Sequence, residues 1–394
     1  MPIAEFVATL IPTAGSSCQL KIGTGYLPRG TELKQTIQIA IAGAGLVGKR
    51  HVAAMDQLKE VDLCAVVDPG DDARRFASER GLPCYDTLEE LFQIQSPEGV
   101  VLATPTPLHV AQALVCIKHG CPVLVEKPLG TSAEEAEELV VAAEKGNVPL
   151  LVGHHRRHNP LIRKAHEAVS GGEIGDVRAV HVNCWFYKPD DYFDTAPWRK
   201  KLGAGPISVN LVHDVDLIRY ICGEVVSVQA QATPSARGFE NEDVAAAVLR
   251  FENGAVGTIT VSDSIVSPWS WELTSREYPI YPPTPESCYM IGGSHGSLSV
   301  PDLRLWTHQG GAQDWWTPIS ATSLTRGASD PLVNQMAHFA RVVRREEAPL
   351  VSGTEGLLTL QVIEAIQQAC ASGEAVQIPG TQMLEFSKEK QAVE

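Results

Sequence analysis

The sequence predicts two architectures in one chain: an α/β half built on a doubly wound parallel sheet, then an α+β half with an open, mostly antiparallel sheet. Three observations predict this. Short apolar runs alternate with helical patterns from Ile37 to about residue 153, the rhythm of a parallel sheet covered on both faces. Beyond that point strand-like runs follow one another with few helices between them. At 394 residues, the chain is also too long for one ordinary core.

In order, Ile37–Ala42 is a short apolar strand, and Gly43–Leu58 turns into a helix. Val61–Asp68 is a second strand. Asp71–Arg80 is helical, and Gly81 fits its end. Thr87–Gln93 is a short helix, with Thr87 and Glu90 at capping-box spacing. Gly99–Ala103 is a third strand, Leu108–His119 a helix and Val123–Glu126 a fourth strand. Ser132–Lys145 is a helix capped by Thr131 or Ser132, with Glu134 and Glu135 in its first turn. Leu150–Gly153 closes the set. Then Asn159–Ser170 is a helix, and strands follow at Val177–Tyr187, Val225–Ala232, Val244–Phe251 and Ala255–Ser262. Glu252-Asn253-Gly254 makes the third and fourth of these a hairpin. Further strands are expected at Cys288–Ile291 and Leu303–Thr307, and helices at Pro331–Arg345 and Thr354–Ser372. Pro279–Pro285 holds four prolines and reads as a rigid loop. The expected domains are an extension or arm over 1–36, a nucleotide-binding domain over 37–152, a substrate-binding and oligomerisation domain over 153–380, and a polar tail over 381–394.

A formal net charge of −15 argues against a nucleic-acid partner, which needs a basic surface. No run of 18 apolar residues suggests a membrane span. The nine cysteines are odd in number and contain no Cys-x-x-Cys pair. Reduced thiols in a cytoplasmic protein are the simpler reading, with no metal site expected.

Gly43-Ala44-Gly45-Leu46-Val47-Gly48 has the Gly-x-Gly-x-x-Gly spacing. The match gains meaning from its place between a strand and a helix, where backbone N–H groups and the helix dipole face a pyrophosphate. Asp68 ends the next strand, where a carboxylate accepts hydrogen bonds from the adenosine ribose. This is the Rossmann arrangement. The Asp68 charge, reinforced by Asp71 and Asp72, disfavours a 2′-phosphate and so favours NAD over NADP. Arg74 and Arg75 are expected to face solvent. Thr104 and Pro105 follow the third strand and line the nicotinamide end of the crevice. His109 is a candidate cofactor contact, its alternative an exposed histidine at a helix start.

Hydride transfer at a carbinol carbon requires a matching proton transfer by a side chain with a suitably shifted pKa. Lys127, in Glu126-Lys127-Pro128 at the end of the fourth strand, is the candidate; alone it reads equally as a surface lysine. A second constellation is the Gly-rich turn at 203–205 leading into a helix that places Asn210, His213 and Asp216 on one i, i+3 row. Asn210 and His213 are candidates to hold a substrate hydroxyl, with Asp214 or Asp216 orienting the imidazole. Arg156 or Arg157 reads either as a substrate-binding residue or as a salt bridge tying the domains together. Trp185 is a candidate stacking platform for a sugar ring, its alternative being sheet packing.

Together Gly43–Gly48, Thr104–His109, Glu126-Lys127-Pro128 and the Gly203–Asp216 turn and helix resemble the Gfo/Idh/MocA family, that of glucose–fructose oxidoreductase and inositol dehydrogenase. The resemblance covers about residues 37–375. It implies a Rossmann domain joined to a domain with an open antiparallel sheet, assembly as homodimers or homotetramers, and NAD(P)-dependent dehydrogenation of CH–OH groups in sugars, cyclitols or related polyols. It gives Lys127 the catalytic lysine role and His213 that of the helix histidine. One departure is Val209, where the family commonly has Asp or Asn four residues before the histidine; Asn210 is the nearest substitute. Alternatives are a dehydrogenase of a non-carbohydrate ring diol or hydroxy acid, or a catalytically silent dinucleotide sensor.

Overall fold

The computed structural model describes residues 36–308, 310 and 313–379. The expected arm over 1–36 and tail over 381–394 therefore fall outside the described residues, apart from Thr36.

The first half runs β1 (Ile37–Ala42), α1 (Leu46–Met55), β2 (Val61–Val67), α2 (Asp71–Glu79), β3 (Cys84–Tyr85), α3 (Leu88–Ile94), β4 (Gly99–Leu102), α4 (His109–Lys118), β5 (Val123–Val125), α5 (Ala133–Gly146) and β6 (Leu150–Val152). Its strands form one sheet in the order β3-β2-β1-β4-β5-β6, and every pairing is parallel. β4, β5 and β6 are buried along their whole length, as expected where helices cover both faces. Strand order reverses between β1 and β4, so the loops after these strands diverge and leave a crevice at their carboxyl ends.

The second half runs α6 (Pro160–Ser170), β7 (Val177–Trp185), α7 (Asp190–Asp194), α8 (Val212–Cys222), β8 (Val225–Pro234), β9 (Glu242–Phe251), β10 (Val256–Ser262), α9 (Trp271–Thr274), β11 (Tyr289–Gly293), β12 (Gly296–Val300), β13 (Arg304–His308), β14 (Ile319–Ser323), α10 (Pro331–Val343), α11 (Gly353–Ser372) and β15 (Val376–Gln377). Nine strands join in the order β14-β13-β12-β11-β7-β10-β9-β8-β15. All pairs are antiparallel except β7 with β10. β9 shows why this sheet is open: Ala245, Ala247, Leu249 and Phe251 are buried, while Ala246, Val248 and Arg250 are exposed, so one face packs on helices and the other does not. Gly254, at φ +86°, turns the expected β9–β10 hairpin.

α10 does not stay with the second sheet. Its Leu332, Met336, Phe339 and Ala340 pack with Ile39, Ile41 and Leu124 of the first. α11 contributes Leu357 and Leu360 to the first core and Val362, Ile363 and Ile366 to the second. The two halves thus share helices, which holds the crevice walls together.

Candidate active site

The glycine loop is shaped for close backbone approach. Gly43 has φ +87°, and a Cβ there would lie 2.6 Å from the Ala103 carbonyl oxygen. A Cβ on Gly48 would lie 1.9 Å from the Gly43 oxygen, so this glycine lets α1 start tight against the turn. A Cβ on Gly45 meets nothing within 4 Å; that open space is where a phosphate group would approach. Leu46 is 78% exposed at the start of α1, and Val47 beside it is also exposed. The helix therefore begins at Leu46, later than expected, because Gly43 and the extended Gly45 cannot be helical. Asp68 accepts hydrogen bonds from Ala44 N at 2.8 Å and Gly70 N at 2.9 Å, which fixes its carboxylate at the tip of β2. Arg74 pairs with Asp86, and Arg75 with Asp72, leaving neither guanidinium uncommitted for a 2′-phosphate. These residues fit NAD: Gly43, Gly45, Leu46, Val47 and Gly48 form the phosphate turn, and Asp68 stands at the ribose position.

Thr104 follows β4, and its hydroxyl donates to Gln112 Oε1 at 2.6 Å. Pro105 N-caps the short 3-10 turn that follows. His109 is not the exposed side chain offered as its alternative. It is 1% exposed, with Nδ1 2.8 Å from Pro128 O and Nε2 2.8 Å from Thr104 O. Both nitrogens lie against main-chain carbonyl oxygens, so His109 joins the Thr104 turn to the segment after Lys127.

β5 delivers Glu126 and Lys127. Glu126 Oε1 lies 2.7 Å from Nε2 of the fully buried His51, and Oε2 accepts the Lys127 N–H at 3.1 Å. Burial pushes the Glu126 carboxyl up, but the His51 hydrogen bond and the charges of His51, Lys127 and His155 outweigh it and hold its pKa at about 2. Glu126 thus braces the strand end from below. The half-buried Lys127 has no ion pair or side-chain hydrogen bond among the described residues. Burial lowers its pKa from 10.5; Glu126 and Glu272 oppose this, and the Arg156 and Lys188 charges add to it. The amine is therefore biased toward its neutral, proton-accepting form.

His213 comes from the second half. Gly205 sits at the start of its helix because a Cβ there would lie 2.3 Å from the Glu242 carboxylate, which accepts Ile207 N at 3.0 Å. The helix opens as a π turn over Ile207–Leu211. Asn210 therefore leaves the expected i, i+3 row, while His213 and Asp216 keep that spacing within α8. Asp216 is committed to Arg157, with Oδ1 2.7 Å from Nη2. Asp214 accepts the Tyr289 hydroxyl. Neither acid orients His213, a correction to the expected relay: among the described residues, His213 Nδ1 and Asn210 Oδ1 are both enclosed without a hydrogen-bond partner. Burial drives the His213 pKa well below 6.5, helped by the charges of Lys127, Arg156, His155 and His154, so the ring is neutral near pH 7. Asp214 moves the other way, to about 6: burial and Glu272 raise it, against Arg156 and the Tyr289 and Cys184 hydrogen bonds.

Arg156 also differs from its candidate substrate role. It is 6% exposed, with Nη2 2.7 Å from Glu272, Nε 3.8 Å from Glu277 and Nη1 4.0 Å from Asp214, and it lies over the Trp271 ring. It is an internal ion-pair hub. Trp185 leaves the site as well. Its strand neighbour Cys184 is buried in the helix-covered core, so the alternating Trp185 points to the opposite face, edge-on to Trp269 at 5.7 Å. The sequence reading missed Glu272, Glu277 and Lys188. Glu272 and Glu277 lie 116 and 121 positions from Arg156 and no local pattern joins them; the only signal was charge inside apolar surroundings, as at Lys188, which is 5% exposed beside Asp263.

Comparisons with known proteins bear on the family of the chain. Residues 37–154 match the oxidoreductase family with an NAD-binding Rossmann fold, and residues 162–299 match the GFO/IDH/MocA C-terminal domain. The chain is 25% identical over 358 residues to myo-inositol 2-dehydrogenase of Thermotoga maritima, covering 87% of this chain and 98% of that one. It is 29% identical over 187 residues to the rhizopine catabolism protein MocA of Rhizobium meliloti; that match spans 48% of this chain and 57% of the relative's length. The WlbA dehydrogenase of Bordetella pertussis, solved with NADH and UDP-GlcNAcA, superposes with a TM-score of 0.71 at 26% identity, covering 88% of this chain and 99% of that one. The chain belongs to the Gfo/Idh/MocA family of NAD-binding oxidoreductases.

Proposed function

We propose that this chain is an NAD-dependent dehydrogenase of a cyclitol, sugar or related polyol, with Lys127 as the proton-transfer residue and His213 assisting. The observation that carries the reading is a lysine at the end of β5 with no ion pair among the described residues, biased toward its neutral form, near a neutral histidine whose Nδ1 has no hydrogen-bond partner among them. NAD would supply the hydride acceptor, held by the Gly43–Gly48 turn and Asp68. Lys127 Nζ takes the hydroxyl proton as the C–H bond breaks, and returns it in the reverse direction. His213 and Asn210 each offer an enclosed polar atom that a substrate hydroxyl can satisfy, which orients the carbinol. Relatives named as inositol dehydrogenases support a polyol substrate. Residues 37–152 are assigned to cofactor binding and 153–380 to substrate binding.

Self-association as a homodimer or homotetramer fits the uncovered sheet face, where Val248, Val256, Met290 and Ile319 are exposed. A cytoplasmic location fits the eight free cysteines among the described residues. The test is NADH formation with a panel of inositols, sugars, ring diols and hydroxy acids. Turnover of polyols supports the reading; NAD binding without turnover of any polyol overturns it.

A further inference from the structure

Buried polar atoms without partners are rare in folded proteins, and each needs an explanation. Among the described residues, Asp214 Oδ2 and Glu272 Oε2 lack a hydrogen-bond partner beside Arg156, and His213 Nδ1 lacks one beside His155. Glu272 stands out because nothing assigned to the site so far uses it. Its side chain is 12% exposed, and Oε1 is fixed at 2.7 Å by Arg156 Nη2. Arg156 is fixed in turn by the Trp271 ring, Glu277 and Asp214. The remaining oxygen is held still, enclosed and unsatisfied. Arg156 and His155 share Glu277, and the His155 ring lies 5.7 Å from that of His213, so Glu272 belongs to the same cluster as His213.

We propose that Glu272 is a specificity-determining residue that accepts a hydrogen bond from a second substrate hydroxyl, separate from the one that gives its proton to Lys127. An acceptor-only oxygen requires a donor. An ammonium is disfavoured, because the guanidinium of Arg156 already pairs this carboxylate. A carboxylate or phosphate carries no donor for it. A neutral hydroxyl meets both conditions, so the substrate class is a polyol with at least two hydroxyls on the bound edge. This rests on the polyol reading above and adds a residue to it. A site built to bond a hydroxyl also rejects the analogue lacking it strongly, because its own polar group is then left unpaired.

The experiment pairs protein and substrate deletions. Myo-inositol and its mono-deoxy analogues are tested as substrates of the wild type, Glu272→Gln and Glu272→Ala, and the same proteins loaded with NADH are titrated with each compound by nicotinamide fluorescence. For myo-inositol, kcat/KM falls by roughly tenfold or more in Glu272→Gln, as expected for loss of a charge-assisted hydrogen bond. For one deoxy analogue the substitution has almost no further effect, the signature of a direct contact. Gln keeps an oxygen for Arg156, so it guards against a collapsed site; an unchanged melting temperature confirms this. A merely structural role lowers activity equally for every compound, and that outcome overturns the proposal. Binding of polyols without turnover contradicts the dehydrogenase reading alone, and the same pairing is then read from dissociation constants. Failure of every polyol to bind the NADH-loaded wild type overturns this inference.

Discussion

Replacing Lys127 with Met removes the amine and keeps most of the side chain's bulk. The backbone there is held independently: Glu126 remains bonded to His51, and its Oε2 still receives the N–H of residue 127. No ion pair is lost, since Lys127 Nζ has none among the described residues. The melting temperature and NAD affinity should therefore change little. Catalysis should not be spared, because a positioned general base contributes roughly 10²–10⁴-fold. Oxidation needs the free amine, so wild-type kcat/KM should rise with pH through a pKa below the ordinary 10.5 for lysine, in the direction burial imposes. The assay is NADH absorbance from pH 6 to 10 with the best polyol, beside NAD titration of both proteins. The variant should lose about 10²–10⁴ in kcat and the alkaline rise together. Turnover within about tenfold of wild type, or the same pH limb in the variant, refutes the assignment.

His213→Asn should lower kcat but leave the pH profile above pH 6 unchanged, since the burial-depressed His213 is already neutral there; a lost limb near pH 6–7 would contradict this. Gly48→Ala should lower the melting temperature, because its Cβ would meet Gly43 O at 1.9 Å, whereas Gly45→Ala should fold normally and weaken NAD binding; calorimetry and NAD titration separate the two. Acid should destabilise the fold in stages. His154 falls from 6.5 to about 4, through burial and the Arg157 and Lys127 charges against Asp216 and Glu126, so the unfolded chain binds its proton first and stability is lost as pH drops from 6.5 to 4. Glu126 and Glu277 fall from 4.5 to about 2, and their contribution is lost between 4.5 and 2. Asp214, raised to about 6, has the opposite sign and offsets part of the loss between 6 and 3.8. Each group is worth roughly 3 kcal/mol; because Asp214 offsets His154 above pH 4.5, the test lies below it, and a melting temperature constant from pH 4.5 to 3 would refute the ordering.

The parallel half was legible because its signals are local. A glycine turn between a strand and a helix, an acid ending the next strand and a lysine ending the fourth expected strand all follow from short stretches of chain. β3 was missed because it is two residues long. β12 was missed because Gly296-Ser297-Leu298-Ser299-Val300 has weak strand character alone and pairs only because β11 and β13 flank it. The site was legible where one residue carries the chemistry and illegible where partners come from afar. Lys127 and His213 stood out by position, whereas the fate of Arg156 depended on Glu272 and that of Asp216 on Arg157. Trp185 failed for another reason: alternation says that neighbours face opposite ways, but only the assembled sheet says which face meets the crevice.

The central claim is that Lys127 receives the substrate proton. Its most direct test is a crystal structure of the protein with NADH and a bound polyol. The account predicts a substrate oxygen within about 3 Å of Lys127 Nζ, with its carbon facing the nicotinamide. A substrate oxygen lying away from both Lys127 and His213 would contradict it.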